Sequence, residues 1–119
     1  MKVEILLERA NIESSLTRCS QCGKNIHEGS MHEWIITRGE CQGAPWEWRM
    51  QIYVPWNVVI VHEEECHRKA QWEQLGRERC FEEVSKYWQG DVVRKWLQDI
   101  APHLTIAEEK LRWVHGKWK

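Results

Sequence analysis

The chain has no hydrophobic run long enough to span a bilayer, no excess of charge of either sign, no internal repeat and no low-complexity segment. Without about 20 consecutive apolar residues no transmembrane helix is expected. A formal net charge of −1 over 119 residues supplies no general attraction to a polyanion, so any nucleic-acid binding must come from local patches. The five cysteines are odd in number and argue against a disulfide framework. The opening Met1-Lys2-Val3-Glu4-Ile5-Leu6-Leu7-Glu8-Arg9 is short and amphipathic and carries two glutamates, unlike a signal peptide. A cytoplasmic location is therefore expected, where thiols stay reduced and bind metals. The length suits one domain whose small core would benefit from a metal staple.

Tryptophan is abundant, with nine in the chain. Most read as core and helix-packing area. Trp46, Trp48 and Trp56 lie in or beside a loop, where core and contact roles stay open.

An α+β fold follows from the pattern of elements. Residues 3–15 read as a short helix, with Ile5, Leu6 and Ile12 broadly on one side. Residues 17–24 read as a tight knuckle in which Gly23 supplies the permissive backbone. A strand is expected over 31–37, a loop over 38–49 and a second strand over 51–54, stopped by Pro55, the two strands forming an antiparallel hairpin. Val58 to Val61 is a short apolar run. From Glu63 the signal is helical, with a weak point at Gly76. A second helical stretch spans 77–89, ended by Gly90, and Asp91 can cap a third, which carries Val92, Val93, Trp96, Leu97 and Ile100 on one face until Pro102. Residues 108–119 read as a helical tail that frays. The expected organisation is a zinc-stapled core over 1–75 and a C-terminal helical extension over 76–119.

The chemistry concentrates in two distant half-sites. Cys19 and Cys22 are spaced for one side of a tetrahedral zinc site, and His62 and Cys66 for the other. The first, Cys-x-x-Cys followed by Gly-Lys, is a strong local signal; His-x-x-x-Cys is weaker. The bland alternative is a surface histidine and a buried small apolar thiol. Cys41 and Cys80 lack partners at ligand spacing; Cys80 reads as core and Cys41 as a spare thiol. Adjacent residues on an α-helix point about 100° apart. If Cys66 faces zinc, His67 therefore faces elsewhere, towards the hairpin. A helix start there would favour a phosphate through its free N–H groups, whereas Glu63, Glu64 and Glu65 would repel one.

His32 in Met31-His32-Glu33, Asn57 in Pro55-Trp56-Asn57 and His67 in Cys66-His67-Arg68 follow in an order and spacing, linked to the zinc half-sites, that resembles the HNH nucleases. The resemblance covers roughly residues 17–70. It implies a ββα-metal, treble-clef-like core with a structural zinc, and a catalytic divalent ion (magnesium, manganese or similar) on the leaving side of a phosphodiester. His67 would ligate that ion, and Asn57 would orient the hairpin loop or the general base. The first motif departs from the usual His-His or Asp-His pair. One register makes His32 the ligand and Glu33 the base; the other makes His32 the base and leaves Met31 in the ligand position. Chemistry favours His32 as base and register favours it as ligand, so both stay open. Arg38 is a candidate phosphate contact or a solvated loop residue. His27, His103 and His115 fit no motif and read as surface residues.

The leading expectation is a small metal-dependent DNA endonuclease, similar to stand-alone proteins of phages and prophages, with packaging or recombination proteins as candidate partners. A non-catalytic zinc module docking on nucleic acid or protein is the alternative, and a zinc-stapled subunit of a larger particle is the third.

Overall fold

The structure, a computed structural model, describes residues 19–24, 30–62 and 64–118. The helix expected over 3–15, the first part of the knuckle and His27 lie outside the described residues.

Strand β1 (Ser30–Glu33) pairs antiparallel with β2 (Val58–Val61), with His32 opposite Val59 and Glu33 opposite Val58. Five α-helices accompany this hairpin among the described residues: α1 (Trp46–Arg49), α2 (Glu65–Trp72), α3 (Gln74–Ser85), α4 (Gly90–Ile100) and α5 (Thr105–Lys117). The architecture is α+β, a two-stranded sheet covered by helices. None of the described helices is long and apolar enough to cross a membrane.

The second strand is not at 51–54, as its sequence pattern had suggested. Residues 50–52 form a 3-10 turn, in which the Gln51 and Ile52 carbonyls are taken by side chains. Trp96 Nε1 donates to the Gln51 carbonyl at 2.9 Å, and Asn57 Nδ2 donates to the Ile52 carbonyl at 2.9 Å. The apolar run Val58–Val61 pairs instead. Likewise β1 stops at Glu33 rather than 37, since the Ile35 and Ile36 N–H groups donate to Asn57 Oδ1 and not to a strand. The intervening loop is itself structured, with a 3-10 turn at Gly39–Cys41 and the helix α1.

The helices also depart from the expected boundaries. The break between α2 and α3 falls at Glu73, in extended backbone with φ −94° and ψ 138°, and Gly76 lies inside α3. The reason is a close crossing: a Cβ at position 76 would stand 2.0 Å from the Lys69 carbonyl oxygen of α2. Gly76→Ala is accordingly expected to destabilise the protein by about 1–3 kcal/mol through overpacking, visible as a lower thermal midpoint; an unchanged midpoint would contradict this packing. The second helical stretch ends at Ser85 rather than 89. Gly90 opens α4, with Gln89 at the cap position and Asp91 in the first turn. The tail is helical, and the helix begins earlier than expected: α5 starts at Thr105, runs to Lys117 and buries Ala107 and Val114.

Tryptophans join the helices to the hairpin. Trp34, just after β1, packs against Phe81 of α3 at 6.5 Å, Trp113 of α5 at 5.4 Å and Trp118 at 5.8 Å between ring centroids. Trp56 sits against Trp88 and Trp96 at 5.3 and 6.0 Å. Such pairs contribute about 0.5–1.5 kcal/mol each beyond the area they bury. The buried residues form one cluster from Cys19 to Trp118. The boundary expected at 75–76 thus falls within α3, and hairpin and helices share a core. Of the loop tryptophans, Trp48 stacks on His103 at 3.6 Å, Trp56 joins the core, and Trp46 is exposed.

Candidate functional site

The knuckle is a turn closed on itself: the Gly23 N–H donates to the Cys19 carbonyl and the Cys19 N–H to the Lys24 carbonyl, both at 2.9 Å. Gly23 adopts φ 76°, a conformation that costs glycine little. The knuckle is tied to β2 by the Ser20 N–H bond to the Ile60 carbonyl, at 3.0 Å. It is tied to α3 by the buried Gln21, whose Nε2 donates to the Gly76 carbonyl while Arg79 Nη1 donates to the Gln21 carbonyl, both at 2.8 Å.

Opposite it, the chain leaves β2, turns at Glu64 with φ 63° and enters α2. This brings the donor atoms of Cys19, Cys22, His62 and Cys66 within 4.8 Å of one another. His62 Nδ1 lies 3.3 Å from Cys22 Sγ and 3.9 Å from Cys66 Sγ. Tetrahedral zinc, with sulfur at about 2.3 Å and nitrogen at about 2.0 Å, places neighbouring donors roughly 3.5–3.8 Å apart. The cluster can therefore hold a structural metal such as zinc. Burial raises the Cys19 thiol, but hydrogen bonds from the backbone of Cys22, His62 and Gln21 outweigh it and bring the thiol down to about 7. Burial and the neighbouring thiols push Cys66 up, so a bound cation would be needed to keep both as thiolates. Among the described residues no other group of three or more His, Cys, Asp or Glu donors converges.

On α2, one residue past Cys66, His67 turns towards the hairpin. Its ring stands 5.0 Å from the ring of His32 in an edge-on arrangement. His32 is buried on the face of β1 that it shares with Val59, and the strand meets α2 there. Burial, and then the charges of His67 and Arg77, depress the His32 imidazole to about 4. It is thus neutral at pH 7, the form that can ligate a metal. Because the folded value lies below the unfolded 6.5, the associated stability is complete above pH 6.5 and is lost as pH falls towards 4. In a proton NMR titration without added divalent ion, the His32 ring signal is expected to stay unchanged down to about pH 5; a midpoint near the unperturbed value would contradict the burial.

Asn57 is fully buried. Its Oδ1 accepts from the Ile35 and Ile36 N–H groups at 2.9 and 3.0 Å, and its Nδ2 donates to the Ile36 and Ile52 carbonyls at 2.9 Å each. It holds the hairpin loop through backbone groups and does not reach the two histidines. Glu33 is on the opposite face of β1 from His32, as strand alternation requires. Its buried carboxylate lies 3.4 Å from the guanidinium of Arg38, whose side chain is 74% exposed. Glu33 and Arg38 are thus brought to each other and not to His32. Cys80 is fully buried and its thiol is pushed up to about 12 by burial; Cys41 is also buried rather than free in the loop. His103 lies against Trp48, and His115 is exposed.

A cavity of about 260 Å³ opens beside His32, walled by Trp34, Trp72, Arg77 and Lys110 among others. The last three were not legible as site residues, because Arg77 and Lys110 reach it from α3 and α5, far away in the chain and at no motif spacing. No protein-family model, curated protein or solved structure matches this chain.

Proposed function

We propose that the protein is a metal-dependent DNA endonuclease of HNH type, built on a ββα-metal core with a structural zinc. One observation carries this reading. Cys66 joins the Cys19–Cys22–His62 cluster on one side of α2, while the next residue, His67, faces His32 across the hairpin at 5.0 Å. With nitrogens about 2.1 Å from a shared ion, two imidazole centroids would stand roughly 5 Å apart, so the pair fits a common divalent ion. Two imidazoles suit manganese or a later transition ion better than magnesium.

His32 and His67 would hold that ion. When bound it would act as a Lewis acid on the leaving oxygen and neutralise phosphate charge. His32, neutral and buried, contributes a lone pair with no cost of deprotonation. Asn57 keeps the loop after β1 in one conformation and so fixes the position of His32, acting on the chemistry only through the backbone. Arg77 at the cavity favours an anionic substrate, whereas Lys110 there is paired with Glu40. The His32–His67 contact supports His32 as the ligand, whereas Glu33, the base in that register, lies on the opposite face of β1 beside Arg38.

That last feature favours a second reading, a zinc module that binds nucleic acid without cutting it. Plasmid cleavage across magnesium, manganese, cobalt and nickel decides between them. Nicking or linearisation dependent on His67 is the expected result. Intact plasmid with every ion would reject catalysis and leave the binding module.

A further inference from the structure

We propose, resting on the nuclease reading above, that Trp72 and Arg77 form a clamp for an unpaired nucleotide of the strand that enters the His32 cavity. The substrate would then be DNA with single-stranded character, such as a gap, flap or branch, rather than a continuous duplex.

Trp72 closes α2 with 74% of its surface exposed, the opposite of what burial economy wants from the largest side chain. It lines the 260 Å³ cavity with His32 and also a neighbouring cavity of about 310 Å³ walled by Gln74, Glu78 and Trp113. Arg77 lines both cavities too. These two side chains therefore form the shared wall between the cavities. The charges around them are not equivalent. Lys110 pairs with Glu40, and Lys117 with Glu78. Arg77 makes no ion pair among the described residues, which leaves a cation beside an exposed indole.

An aromatic face next to a cation complements a base next to its phosphate, and base stacking on such a platform is indifferent to sequence. A base inside a duplex has both faces covered by its neighbours, so only an unpaired or extruded base can use Trp72. The placement suits a strand that also reaches the histidines. His32 and Trp72 line the same cavity, so a strand whose base stacks on Trp72 passes the His32 ring. A cavity of this size is at or below the low end of ligand clefts, about 300–1,000 Å³. It has room for a group of nucleotide size but not for a double helix. A peptide could cover Trp72 as well, and an acidic one could pair with Arg77, but it would make no use of the neighbouring His32–His67 pair, which suits a phosphodiester.

The test is binding without cleavage: fluorescence anisotropy of the zinc-loaded full chain with a labelled oligothymidine, and with a blunt duplex of equal length, in the absence of added divalent ion. The single strand is expected to bind at least about tenfold tighter than the duplex. Trp72→Ala should lose about tenfold or more of the single-strand affinity, and Trp72→Phe should keep most of it. Arg77→Ala should weaken binding and lower its salt dependence. Trp72 is exposed, so an unchanged thermal midpoint will show that the alanine variant is folded. Equal affinity for strand and duplex, or no effect of Trp72→Ala, would overturn the clamp. So would a wild-type dimer in light scattering that becomes a monomer in Trp72→Ala with oligonucleotide affinity unchanged. The two readings fail separately. His67-dependent plasmid cleavage without a Trp72 effect on binding removes the clamp alone, whereas Trp72-dependent strand binding with no cleavage under any ion removes the nuclease alone.

Discussion

With zinc held by the Cys19–Cys22–His62–Cys66 cluster, as proposed above, chelation is expected to unfold most of the hairpin and loosen α3. Structural zinc binding in small sites is worth about 10–16 kcal/mol at neutral pH, against a net stability of about 5–15 kcal/mol for a whole domain. The loss would not stay local. The knuckle is bonded to β2 through Ser20 and Ile60, and to α3 through Gln21, Gly76 and Arg79. Once Cys19 and Cys22 are released, those bonds lose the rigid turn that positions them. Trp34 lies between β1 and the rings of Phe81, Trp113 and Trp118. Tryptophan emission should therefore shift to the red on chelation and return when zinc is restored. Cys22→Ala should copurify without zinc and show the shifted emission from the start. Cys41→Ala, which removes a buried thiol outside the cluster, should keep a single zinc per chain. A chelated protein that melts at the temperature of the zinc-loaded one would contradict a stabilising role for the metal.

Features whose chemistry is local were readable from the chain. The candidate metal donors lie three and four residues apart within each half-site, so their spacing alone puts each pair on one turn. The divergence of Cys66 and His67, about 100° apart, follows from helix geometry. Long-range features were not readable in the same way. Tyr53-Val54 before a proline looks as strand-like as Val58–Val61, and only the side chains of Asn57 and Trp96, which take the carbonyls of Ile52 and Gln51, decide which segment pairs. The helix break at Glu73 carries no glycine or proline signal. The chain turns there because α3 must cross α2 closely, and Gly76 is the residue that permits the crossing. Asn57 resembled a motif residue or a turn residue, and its four backbone hydrogen bonds make it the clamp of the loop. Trp72 reads as core by residue type, and its exposure depends on where α2 happens to end.

His67→Ala is expected to lower DNA cleavage by at least about 100-fold while leaving zinc content and thermal midpoint close to wild type. The magnitude follows from the role proposed for the ring. Removing even the outer partners of metal ligands typically costs about 10–100-fold, and a direct ligand costs more. Stability should change little, because His67 is only half buried and lies outside the Cys3His cluster. His32→Ala should match it in rate, but with some loss of stability, since His32 is buried against α2. The informative companion is Glu33→Gln. A general base contributes about 10²–10⁴-fold, whereas an ion pair with the largely exposed Arg38 contributes at most about 1 kcal/mol. A fall of 100-fold or more in Glu33→Gln, together with loss of the acid limb of the pH–rate profile, would identify Glu33 as the base and place the attacking water on its face of β1. A fall of less than about tenfold would make Glu33 a structural partner of Arg38. Full activity in His67→Ala would remove the shared ion from the mechanism, and the proximity of the two imidazoles would then be packing alone.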